Sequence, residues 1–123
     1  MPTKKTIVLA DDEQGVLDVV QFRLTKKGYN VIVAHDGEEA LASVKKSSPD
    51  LVILDVNMPP PNGLQVCRQL KDDAKYKNIP VVLLTAGDTD SDKFWGAESG
   101  ADAYLTKPYN AEELLALIKK LTT

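Results

Sequence analysis

Residues 51–59, Leu51-Val52-Ile53-Leu54-Asp55-Val56-Asn57-Met58-Pro59, decide the fold. Four apolar residues run without a break and stop at an acid. A strand with one face in water would alternate apolar and polar side chains. An unbroken run of four suits a strand covered on both faces, as in a parallel sheet. Two further runs have the same form: Ile7 to Ala10, closed by Asp11-Asp12, and Val81 to Leu84, closed by Thr85. Val31 to Ala34 and Ala103 to Leu105 are weaker versions, the last followed closely by Lys107 and Pro108.

Helical spacing fills the gaps. Leu17, Val20 and Leu24 repeat at three and four residues before Lys26-Lys27-Gly28, a helix stop. Three segments open with an Asp or Asn followed three residues later by Glu or Gln, the spacing of a capping box. They are Asp36 to Glu39, Asn62 to Gln65 and Asn110 to Glu113. The last leads into Leu114, Leu117, Ile118 and Leu121, a full amphipathic stripe. Asp88 to Ser99 is the weakest helix, with Gly87, Gly96 and Gly100 in or beside it. Strand then helix, five times over, predicts an α/β domain whose parallel sheet is covered on both sides. Pro59-Pro60-Pro61 reads as a stiff loop within that domain. At 123 residues the chain has the size of one domain.

Composition narrows the function. Fifteen basic against eighteen acidic residues give a net charge of −3. That balance argues against electrostatically driven binding to nucleic acid or to an anionic membrane. A single cysteine, Cys67, excludes an intrachain disulfide. No apolar run exceeds five residues, against about 20 for a membrane span, and the amino terminus lacks a signal-peptide core. The expectation is a cytoplasmic protein.

In a parallel α/β sheet, ligands gather at the carboxyl ends of the strands. The residues found there are Asp11-Asp12, Asp55, Thr85 and Lys107. Any one alone is explained as a turn former or cap; the whole set, each member at its own strand end, is not. Three carboxylates in one pocket repel, and a divalent cation relieves them. An all-oxygen set suits Mg²⁺ or Mn²⁺ rather than zinc, for which one His35 and one Cys67 are insufficient. A bound cation draws in a phosphoryl group, a carboxylate can take it as a nucleophile, and Lys107 and Thr85 can hydrogen-bond its oxygens.

With these residues in view, the chain resembles a bacterial response-regulator receiver domain of the chemotaxis-regulator type, from about Lys5 to about Leu121. The motifs are Leu9-Ala-Asp-Asp-Glu13, Leu54-Asp-Val-Asn-Met-Pro59 with Asn62-Gly63, Leu84-Thr-Ala86, and Gly100-Ala-Asp-Ala-Tyr-Leu-Thr-Lys-Pro108. The resemblance implies a flavodoxin-like, doubly wound (βα)5 fold with strand order 2-1-3-4-5. It implies that Asp55 is the phosphoacceptor. Asp12 and Asp55 would ligate Mg²⁺ directly, Asp11 through water, and Asn57 through its backbone carbonyl. Lys107 would pair with the acceptor, its bond to Pro108 being cis. Thr85 would be the switch hydroxyl and Tyr104 the aromatic that follows it, altering the surface of the fourth helix, fifth strand and fifth helix. The phosphodonor would be a sensor histidine kinase or a histidine phosphotransfer protein. Asn62, where the family often has Asp, caps a helix about as well.

The function expected is therefore a phosphorylation-dependent signalling switch, catalysing only its own phosphorylation and dephosphorylation. The domain would occupy residues 1–123 with no output domain, so its output would pass to a separate effector protein, the receiver being a monomer or a phosphorylation-dependent dimer. The alternatives are a degenerate receiver that acts only as an interaction module, and an enzyme on a similar fold. Intact polar residues disfavour the first. Two acids after the first strand, and Asn57 two residues past the nucleophile, disfavour flavodoxin-like and dehalogenase-like enzymes. The resemblance also implies that Asn57 and Gly87, two past Asp55 and two past Thr85, tune access of water to the acyl phosphate; Gly87 has no side chain to block it, and a phosphoryl lifetime of minutes is expected. Phe94 and Ala97 would face inward and turn Trp95 to the flank. Cys67 is expected in the core, His35 in solvent, and the lysine pairs 26–27, 45–46 and 119–120 at helix ends, where they suit the dipole.

Overall fold

The computed structural model describes residues 4–85, 99–107 and 109–122. Five strands, β1 (Thr6–Ala10), β2 (Asn30–Ala34), β3 (Leu51–Asp55), β4 (Val81–Thr85) and β5 (Ala103–Thr106), form one parallel sheet in the order β2-β1-β3-β4-β5. Helices α1 (Gln14–Lys26), α2 (Gly37–Ser47) and α3 (Gly63–Lys71) and the C-terminal helix (Ala111–Thr122) pack on it. This is the expected doubly wound arrangement. The expected helix over Asp88–Ser99, with Phe94, Trp95 and Ala97, lies outside the described residues. So do Ala86, Gly87 and the Lys107–Pro108 peptide bond.

The unbroken apolar runs are divided residue by residue between two cores. Val8, Ala10, Val52, Leu54, Val81 and Leu83 pack with Ala40, Val44, Val66, Cys67 and Leu70, the inner residues of α2 and α3. Ile7, Leu9, Leu51, Ile53, Val82 and Leu84 pack with Leu17, Val20 and Leu24 of α1 and with Leu114 and Ile118 of the C-terminal helix. Successive strand side chains point to opposite faces, so covering both faces demands four apolar residues in a row. Nearly all of these side chains are fully buried.

Helix starts follow the sequence. The Asp36 carboxylate accepts from the Glu39 amide at 2.8 Å. At α3 the capping box is complete: Asn62 Oδ1 accepts from the Gln65 amide, and Gln65 Oε1 accepts from the Asn62 amide. Asn110 Oδ1 accepts from the Glu113 amide at 2.7 Å. Such a cap contributes about 1 kcal/mol to its helix. The chain leaves α1 through Gly28 at φ 97°, a conformation costly for any other residue. Cys67 is buried as expected, its thiol donating to the Ser99 carbonyl at 3.5 Å; burial pushes that thiol's pKa up. His35 lies half in solvent between Gln14 and Glu39. Lys26, Lys45, Lys46, Lys119 and Lys120 occupy the last turns of their helices, and Lys27 caps α1.

Candidate functional site

Strand register brings the polar residues together. Ala10 is level with Leu54, so Asp11 stands beside Asp55 at the next step. Asp55 is level with Leu84, and Thr85 with Thr106. Asp55, Thr85 and Lys107 therefore advance one step at a time along the carboxyl rim. Backbone hydrogen bonds continue past the strands and fix these positions: Asp11 donates to Ala34 at 3.2 Å, Val56 to Leu84 at 2.9 Å, and Lys107 to Thr85 at 2.7 Å.

At the rim, Lys107 Nζ lies 3.3 Å from Asp55 Oδ2 and 3.6 Å from Asp11 Oδ2. Asp11, Asp55 and Thr85 are buried, whereas Asp12 is exposed. Asp55 Oδ1 accepts from the Asn57 amide at 3.1 Å, which turns the chain tightly after β3. Gly63 is required here: a Cβ on it would collide with the Asp55 carbonyl, so the start of α3 rests directly against the acid's backbone. Tyr104 sits on β5 level with Leu83, 39% exposed.

Burial pushes the Asp11 carboxyl from 3.8 up to about 6; the Asp55 charge adds to the rise, while the Glu13 amide and Lys107 oppose it. Burial alone would lower the Lys107 ammonium, but Asp55 and Asp11 outweigh it and the pKa is raised, so the group stays charged. Burial also raises the neighbouring Tyr109 phenol.

One oxygen from each of Asp11, Asp12, Glu13 and Asp55 lies within 4.8 Å of the others. The strand-end rule singles out the two aspartates after β1; Glu13, one residue further, joins them because the chain has not yet left the rim when α1 begins. Asp11 Oδ2 is buried without a hydrogen-bond partner, a costly state for a carboxylate oxygen. A hard divalent cation such as Mg²⁺, which takes carboxylate and water oxygens, fits that donor set and could be held there. A groove of about 550 Å³ between α1 and the C-terminal helix reaches Lys107 at one end, but its lining is largely apolar and holds no acid.

The family model for the response regulator receiver domain matches residues 7–119. The chain belongs to that family. Among solved structures, the receiver is similar to the chemotaxis response regulator CheY4 of Vibrio cholerae, at 34% identity over 97% of this chain and 99% of that one, with a TM-score of 0.90. It is also similar to a putative response regulator from Chloroflexus aurantiacus, at 34% identity over 98% of both chains and a TM-score of 0.92. The receiver domain of the sensor histidine kinase PA1611 from Pseudomonas aeruginosa, 24% identical over 98% of both chains with a TM-score of 0.90, shares the fold; in that protein a magnesium ion is coordinated in the active-site cleft. Among the described residues, no helix of this receiver is long and apolar enough to cross a membrane.

Proposed function

We propose that this receiver is a phosphorylation-dependent switch of a two-component system, with Asp55 as its phosphoacceptor. The observation that carries the reading is the Lys107 ammonium 3.3 Å from Asp55 Oδ2, within a cluster of acids and beside Thr85. The phosphodonor is a phosphohistidine on a sensor histidine kinase or a histidine phosphotransfer protein. An Asp55 oxygen attacks phosphorus as the phosphorus–nitrogen bond breaks. The electron pair leaves on the imidazole, which takes a proton from solvent. Asp12, Asp55 and the Asn57 carbonyl would hold Mg²⁺ or Mn²⁺ directly, and Asp11 would hold it through water. When bound, the ion neutralises charge on the transferring group.

Lys107 starts paired to the acceptor and ends paired to the phosphoryl oxygens. The product adds nearly two negative charges and three acceptor oxygens beside Thr85 and Lys107. Bonds from the Thr85 hydroxyl to those oxygens exist only after transfer, so they favour one of two conformations. Tyr104 follows Thr85, and the β5 surface passes the change to a downstream effector. The test is incubation with MgCl₂ and acetyl phosphate, followed by intact mass measurement. A labile one-phosphoryl increase, abolished in Asp55→Asn, is expected. No uptake by the native chain would favour the phosphorylation-independent interaction module; uptake retained at the native rate in Asp55→Asn would place the acceptor elsewhere.

A further inference from the structure

Glu13 occupies the N-cap position of α1, where a short Ser, Thr, Asp or Asn normally bonds an orphan amide. Its side chain makes no cap hydrogen bond. Its backbone amide donates to Asp11 Oδ1 at 2.9 Å, which holds the residue against the rim. The carboxylate is exposed, yet one of its oxygens falls within 4.8 Å of oxygens from Asp11, Asp12 and Asp55. The helix dipole favours an acid at this end of α1, but no capping bond fixes where its carboxylate points. The adjoining Asp11 is fully buried, and its Oδ2 accepts no hydrogen bond, its nearest cation being Lys107 Nζ at 3.6 Å.

We infer that Glu13 is a fourth acid of the cation site, acting on a bound divalent ion through its hydration shell. This rests on the proposed cation site and adds a residue to it. Four carboxylates cluster here, and among the described residues Lys107 is the ammonium paired with them, through Asp11 and Asp55. The rim is thus over-supplied with negative charge until a dication enters. A single negative charge about 5 Å from a dication, in a water-like dielectric and at physiological salt, changes affinity about fivefold. The effect is larger at low salt and shrinks at high salt, as expected for a group that does not touch the ion. The same charge repels its neighbours in the metal-free protein, so removing it should not destabilise that form.

The experiment measures Mn²⁺ binding to the full chain from the free-ion electron paramagnetic resonance signal, with MgCl₂ as competitor, together with thermal melting in chelator. Glu13→Gln is compared with Glu112→Gln, an identical charge change in the first turn of the C-terminal helix. Glu13→Gln should bind both ions about fivefold more weakly than the native chain. The difference should narrow at high salt, and melting in chelator should be unchanged or higher. Affinity no lower than that of Glu112→Gln would overturn the inference and leave the cation site standing. Weaker binding with a lower melting temperature in chelator would overturn it in favour of a structural role. Failure of the native chain to bind Mn²⁺ at all would remove the cation site itself.

Discussion

Lys71 offers a test of how the sheet is held at the end away from the rim. Its ammonium donates to the Lys77 carbonyl at 3.1 Å, the Ile79 carbonyl at 2.9 Å and Asp102 Oδ2 at 2.8 Å. The same Asp102 oxygen accepts from the Val81 amide at 2.8 Å. One lysine thus joins the end of α3, the segment before β4 and the residue before β5. Its side chain is 15% exposed and that of Asp102 38%. Lys71→Met keeps the apolar stem and removes the three donors. Hydrogen bonds to charged groups contribute ~1.5–3 kcal/mol each, and breaking a fully buried pair costs ~3–5 kcal/mol. Water can reach Asp102, which lowers the cost to about 2–3 kcal/mol. Unfolding entropy of ~2.1 cal/mol/K per residue, taken over the chain, converts this to a fall in Tm of roughly 10 °C. Urea denaturation followed by circular dichroism should show a lower midpoint with an unchanged slope. A double-mutant cycle with Asp102→Asn should give a coupling of at least about 1 kcal/mol. A loss below about 1 kcal/mol, or strict additivity of the two substitutions, would refute the reasoning.

Gly63→Ala puts a methyl group into the Asp55 carbonyl; overpacking should cost about 1–3 kcal/mol and slow phosphoryl uptake from acetyl phosphate. Gly15→Ala, with open space around its new methyl, should lose no stability in the same denaturation assay. Ile118→Ala empties a fully buried position of the C-terminal helix and should cost ~2–5 kcal/mol in urea melts. The raised Asp11 carboxyl gives a pH dependence: ionisation is penalised in the fold, so its favourable contribution is complete below about 4 and lost as pH rises through about 6. In chelator, Asp11→Asn should therefore melt above the native chain at pH 7, with the gap closing towards pH 4; a gap independent of pH would exclude this origin.

The fold was legible because its rule is local. Burial of a strand on two faces leaves a mark in four adjacent residues, as at Leu51 to Leu54, and each helix after a polar cap announces its start. The rim residues were legible for the same reason, since Asp55 and Thr85 close their own runs. What was not legible depends on side chains crossing the fold. Lys71, in a polar stretch, looks like a solvated lysine; its partners at Ile79 and Asp102 meet it only once β4 and β5 are side by side. Glu13 looks like the first residue of a solvated helix, and only the late departure of α1 from the rim puts it among the acids. Gly63 reads as a turn residue beside Asn62, while its reason is the Asp55 backbone pressed against it.

Lys107 follows the edge strand β5, yet its ammonium reaches the acid just after the first strand and the acid that ends the third, passing the fourth. It is a crossbar between that edge and two acids nearer the middle of the sheet. A change of charge at Asp55 therefore acts directly on a side chain rooted on the far side of β4. A single charged side chain thus joins the periphery of the sheet to its centre without a backbone hydrogen bond between β3 and β5.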